Sequence, residues 1–120
     1  MRGSLVWVKE NHTSGDLTGS FAPRHERILH AAKGRPTVSP RIDDVLQVSR
    51  EGATDHPTEK PTDLLKRLIN STTDGGDLIV DPFAGTGATC IAAKLLSRDY
   101  WACEKDNHYW QQGYERLRND

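Results

Sequence analysis

The stretch Asp81-Pro82-Phe83-Ala84-Gly85-Thr86-Gly87-Ala88-Thr89-Cys90 constrains this 120-residue chain more than any other. A short apolar run at residues 77–80 precedes it, and residues 91–96 read as helix. Strand, glycine turn and helix in that order form the unit that presents a ligand to a helix N-terminus. Gly85 and Gly87 allow a tight turn and leave no side chain between backbone and ligand. Asp81 places negative charge at the carboxyl end of the strand, while the helix N-terminus carries partial positive charge. A ligand with both a cationic centre and a carboxylate suits the two ends.

The nearest competitor is a dinucleotide fold, in which the first glycine closes the strand and a pyrophosphate fills the turn. Here Asp81 to Ala84 intervene before Gly85, and the third glycine position is Cys90. Asp81 repels a pyrophosphate but attracts an ammonium or sulfonium group. Nor does a Lys-Ser/Thr pair follow the turn, so it is no nucleoside triphosphate loop. S-adenosylmethionine fits this charge pattern better than a nicotinamide dinucleotide. A Gly-rich turn with no ligand is the bland alternative on the two glycines alone.

A chain of this length makes one domain with a modest core. Its formal net charge of −1 gives no bulk basic signature of nucleic-acid binding. Apolar residues make up 35% and mean hydropathy is −0.69, so the core is thin. No run approaches a membrane span, and residues 1–20 lack the apolar centre of a signal peptide, so a cytoplasmic location is expected. Cys90 and Cys103 form neither a CxxC pair nor a metal-ligand spacing, and are expected to be buried, reduced thiols.

Taken in order, residues 5–8 read as a buried strand and 9–21 as a polar loop. Residues 26–32 fit strand or helix on pattern alone, and their short length before Lys33-Gly34 favours a strand; 35–44 read as a loop and 44–48 as a short strand. The segment His56-Pro57-Thr58-Glu59-Lys60-Pro61 opens a helix, capped by Thr58 or Thr62 with Pro61 in its first turn. Leu64, Leu65, Leu68 and Ile69 give that helix one apolar face. Residues 77–80 should form a central strand, with 100–103 parallel beside it, both covered on two faces. Residues 107–118 read as the last helix. Glu104 follows Asp81 by 23 positions, where an acidic group at the end of the second strand typically accepts ribose hydroxyls.

The segment 56–61, the Asp81–Thr89 turn and Glu104 together resemble the C-terminal half of the amino-group DNA methyltransferases, which make N6-methyladenine or N4-methylcytosine. The resemblance is to the group whose catalytic motif precedes its cofactor motif. It is strongest over residues 55–118, and residues 5–9 and 25–34 look like that family's middle strands. It implies an α/β, Rossmann-like fold with an incomplete doubly wound sheet. Residues 1–55 would supply middle strands and DNA-facing loops, and 56–120 the cofactor-binding half. By the same resemblance, Asp81, Phe83, Gly85 and Gly87 form the turn that holds S-adenosylmethionine. Thr58 and Lys60 hold its methionine carboxylate, and Glu104 holds its ribose. His56 shapes a loop and is not a base.

One departure is large. The family's catalytic tetrapeptide is Asp, Asn or Ser, then Pro-Pro, then an aromatic residue that stacks on a flipped base. No such tetrapeptide occurs among the 120 residues. The family order puts it before Leu5. The expectation is therefore a fragment, a truncated product or one half of a split enzyme, with no catalytic residue of its own and no metal. Its partners would be double-stranded DNA and a polypeptide supplying the missing half. Arg24, Arg27, Lys33, Arg35, Arg41 and Arg50 are candidates for phosphate contacts, which position DNA without reading it. The competing readings are an inactive S-adenosylmethionine-binding remnant and, less well matched, a nicotinamide-dependent oxidoreductase.

Overall fold

A computed structural model describes residues 1–10, 18–49 and 59–119. Strand β1 (Gly3–Val8) pairs antiparallel with β2 (His25–His30) and parallel with β3 (Val45–Gln47). Trp7 lies opposite Leu46 in the parallel register, and its indole N–H donates to the Val48 carbonyl at 2.8 Å. Trp7, Leu46, Val48 and Leu64 form one apolar cluster.

Helix α1 (Thr62–Thr72) joins this sheet to the second half of the molecule. Its expected apolar face divides between two cores. Leu64 and Leu68 pack on the Trp7 cluster, while Leu65 and Ile69 pack with Ala92, Ala93, Ile79 and Leu96. Pro61 occupies the cap position itself, and no side-chain cap bond forms there. Thr62 is thus the first helical residue rather than a cap, and Thr58 and His56 lie outside the described residues. The far end of α1 is closed by Arg98, whose guanidinium donates to the Thr73 carbonyl at 2.6 Å and to its hydroxyl at 3.0 Å.

Strand β4 (Leu78–Asp81), helix α2 (Ala88–Leu95), strand β5 (Asp99–Ala102) and helix α3 (Asn107–Asn119) complete the chain. β4 and β5 pair in parallel, as the strand–helix–strand pattern requires. They form a two-stranded sheet separate from the β2-β1-β3 sheet, so β4 is not central among the described residues. Nor is this pair covered on both faces. Ile79 packs beneath α1 and α2, but Leu78, Val80 and Trp101 are more than half exposed. A continuous apolar run signals two apolar faces, but not what covers them.

Candidate functional site

The turn after β4 is stitched to the end of β5. The Cys103 amide donates to the Asp81 carbonyl at 3.1 Å, and the Ala84 amide donates to the Cys103 carbonyl at 3.0 Å. The Gly87 amide closes the turn on the Ala84 carbonyl at 2.9 Å. Gly85 has φ +56° and Gly87 +88°, the left-handed region that favours glycine. Gly87 is also the N-cap of α2, so the helix starts with no side chain at its mouth.

Around this backbone the predicted residues take distinct places. Asp81 Oδ1 accepts from the Phe83 amide at 2.9 Å, a local turn that fixes the carboxylate at the strand end. The Phe83 ring projects outward at 86% exposure. Glu104 accepts from the Gly85 amide through Oε1 and from the Asp106 amide through Oε2, both at 2.8 Å. Gly85, Gly87 and Glu104 share the wall of a cavity of about 290 Å³ with Trp101, Trp110 and Tyr114. Trp110 and Tyr114 stack with ring centroids 5.4 Å apart. Asp81, Phe83 and Lys60 are not in that wall.

Lys60 stands apart. Its ammonium donates to Glu26 Oε1 at 2.7 Å, while Lys9 meets Oε2 of the same carboxylate at 2.7 Å. Both ammonium groups lie over the Trp7 ring, at 5.2 Å for Lys9 and 5.9 Å for Lys60. Burial raises the Glu26 pKa, but the hydrogen bonds and charges of Lys60 and Lys9 together outweigh it and hold the carboxyl below its ordinary value. The carboxylate that meets Lys60 among the described residues is thus that of Glu26, a protein group.

Of the two thiols, Cys90 is buried and Cys103 exposed, which corrects the expectation for Cys103. Burial, with the Asp81 charge adding to it, pushes the Cys90 thiol up to about 11. Cys103 lies just past the end of β5 with its Sγ near the Pro82 carbonyl at 3.3 Å, at the rim rather than in the core.

Three residues near the turn escaped the sequence reading. Glu59 and Arg116 both reach Thr86, and Gly113 packs against it. Only Gly113 left a signal: a lone glycine inside a helical pattern commonly marks close packing.

Comparison with known proteins decides the family. The model for DNA methylases of the N6/N4 type matches residues 39–115. The chain belongs to the N6/N4 DNA methylase family. YubD of Escherichia coli (strain K12), a protein named as a methylase, is 39% identical over 116 residues, covering 96% of this chain and 50% of its own length. The DNA adenine methyltransferase YhdJ of Escherichia coli (strain K12) is 40% identical over 62 residues, covering 52% of this chain and 21% of its own. A crystal structure of an M1.HpyAVI–SAM complex superposes with a TM-score of 0.81 at 27% identity, over 97% of this chain and 61% of that one. The fold is accordingly the α/β methyltransferase type, and the chain spans half the length of YubD. No helix among the described residues is long and apolar enough to cross a membrane.

Proposed function

We propose that this chain supplies the S-adenosylmethionine-binding half of a DNA methyltransferase that methylates an exocyclic base amine, with adenine N6 as the target. The observation that carries it is the Asp81–Gly87 turn held at the mouth of α2, beside Glu104 and the 290 Å³ cavity. Its residues suit the cofactor. Asp81 offers charge to an ammonium or sulfonium, and the partial positive charge of the α2 N-terminus at Gly87 favours the carboxylate. A carboxylate oxygen accepts more than one hydrogen bond, so Glu104 suits ribose hydroxyls while it holds the Gly85 and Asp106 amides. The aromatic cavity wall suits a purine ring. Thr58 and Lys60 would complete the carboxylate end, which requires Lys60 to exchange Glu26 for the ligand or to share itself between them. The SAM complex of M1.HpyAVI supports the cofactor, and the name of YhdJ supports adenine.

When bound, the cofactor supplies an electrophilic methyl group. The chain's own part is to orient that group and keep the turn fixed. The Pro-Pro-aromatic motif, which these 120 residues do not carry, would hold the flipped base, since positioning governs such a transfer. Arg24, Arg27, Lys33, Arg35 and Arg41 would meet phosphates, and Arg50 lies outside the described residues. The cell compartment in this reading is the cytoplasm.

Isothermal titration with S-adenosylmethionine should show binding that NAD does not compete away. Asp81→Ala should weaken it strongly, and equal affinity in wild type and mutant refutes the assignment. Labelled methyl transfer to DNA should require an added polypeptide with the missing motif. Turnover by the chain alone would show that the catalytic groups lie within these 120 residues.

A further inference from the structure

Side chains from two distant segments grip the glycine turn at Thr86. The Thr86 hydroxyl donates to Glu59 Oε1 at 2.6 Å. Arg116 Nη1 approaches that same oxygen at 2.5 Å and donates to the Thr86 carbonyl at 3.0 Å. Thr86 is 1% exposed and the Glu59 side chain 7%. Behind the turn, α3 comes so near that a Cβ on Gly113 would stand 3.1 Å from the Thr86 carbonyl carbon and 3.2 Å from its oxygen. Residues 59, 86, 113 and 116 thus meet at one point, and Thr86 sits between the two left-handed glycines.

We propose that Glu59 and Arg116 are positioning residues that lock the Gly85–Gly87 turn onto α3, so that cofactor affinity at the turn is set by the last helix. The affinity part rests on the cofactor reading above, while the lock itself does not. Two glycines leave the turn backbone many alternatives, so something outside it must select one. A ligand meeting a turn already held in its bound shape loses less freedom on binding. The selection falls to an ion pair that is mostly hidden from water. Removing either partner takes away a charge-assisted contact on Thr86 and weakens the electrostatic support of the remaining charge. Neither residue touches the cavity wall beside the turn, so the effect passes through Thr86.

The test is amide hydrogen exchange on the 120-residue chain without ligand, followed by titration with S-adenosylmethionine. Glu59→Gln and Arg116→Gln should each speed exchange of the Gly87 amide by about tenfold or more, while β1–β2 and β4–β5 amides keep their protection. Cofactor affinity should fall by a similar factor, and Arg116→Lys, which keeps the charge, should recover part of both. Gly113→Ala separates the lock from general stability. The added methyl presses on the Thr86 backbone while alanine favours the helix, so a general loss of stability predicts faster exchange in α3 and the sheets as well as at Gly87. The lock predicts faster exchange at Gly87 alongside unchanged or better protection in α3. Unchanged Gly87 exchange in Glu59→Gln and Arg116→Gln would overturn the proposal. Faster exchange in a chain whose wild type fails to bind S-adenosylmethionine would support the lock and overturn only the cofactor reading.

Discussion

Glu104 reaches back across 19 positions to accept a hydrogen bond from the Gly85 amide at 2.8 Å. Its other oxygen accepts from the Asp106 amide, and Asp106 in turn caps α3 through the Tyr109 amide at 3.1 Å. One carboxylate therefore braces the glycine turn and the start of the last helix together. Hydrogen bonds to charged groups contribute about 1.5–3 kcal/mol. Glu104→Ala should lower unfolding stability by about that amount, read by urea denaturation, and should weaken binding of S-adenosylmethionine by at least about tenfold. Glu104→Gln keeps one acceptor oxygen and should lose less of both. Full stability in Glu104→Ala would mean that the two backbone amides find other partners.

The lysine pair around Glu26 predicts a pH dependence. The Glu26 pKa is lower in the fold than its ordinary value of 4.5. The unfolded chain therefore binds the proton first as pH falls. The stabilisation is complete above about 4.5 and is lost as pH drops through the folded value. Glu26 is about one-third exposed, but Lys9 is buried, so its loss leaves a buried ammonium unpaired. Glu26→Gln should cost about 1–2 kcal/mol at pH 7, less than a fully buried pair because water screens the site. Thermal melts from pH 3 to 7 should show a flatter acid limb in the mutant. Parallel curves for the two proteins would place the acid sensitivity elsewhere.

How much of this was legible in the sequence differs from residue to residue. The strand–turn–helix at 78–95 was, because Asp81, Gly85 and Gly87 each carry a backbone or charge requirement that few other residues meet. The parallel β4–β5 pair followed from the helix between them. The Glu59–Arg116 contact was not legible, since it joins positions 57 apart and neither residue type is unusual on a surface. The exposure of Cys103 is not legible, because an apolar strand pattern does not say whether the strand end is covered. The Lys60–Glu26 pair is not legible either: the motif around Lys60 points to a cofactor carboxylate, and nothing local marks Glu26, 34 positions away. Local chemistry is written locally, and contacts between segments are fixed only when the chain packs.

The two thiols should separate cleanly. Cys90 is buried, with its thiol pushed up to about 11, so at pH 8 almost none of it is thiolate. Cys103 is exposed. A disulfide reagent at pH 8 should label one thiol per native chain, mapping to Cys103, and two in denaturant. Cys103→Ser should abolish the native signal. Because burial raises the folded value above the ordinary 9.0, the unfolded chain loses its Cys90 proton first as pH rises. Stability should therefore fall between about pH 9 and 11, and Cys90→Ala should reduce that fall.

The outer face of the β4–β5 pair makes the final prediction. Residues two apart on a strand share a face, and Val80 lies opposite Trp101 in the parallel register. Leu78, Val80 and Trp101 thus form one contiguous apolar surface, each more than half exposed. Ile79, on the other face, is the residue that packs into the core. Exposed apolar strand surface of this kind drives self-association. Substituting Val80→Thr together with Trp101→Thr puts a strand-favouring β-branched residue at each position while removing the apolar side chains from solvent. Aggregation measured by light scattering during heating should slow severalfold in the double mutant, with little change in the melting temperature because neither side chain contributes to the core. Ile79→Thr should do the opposite, lowering the melting temperature by opening the cluster with Ala92 and Ala93. If the double mutant melted much earlier than wild type, Val80 and Trp101 would be buried in solution, and the two-faced burial expected from their apolar pattern would hold after all.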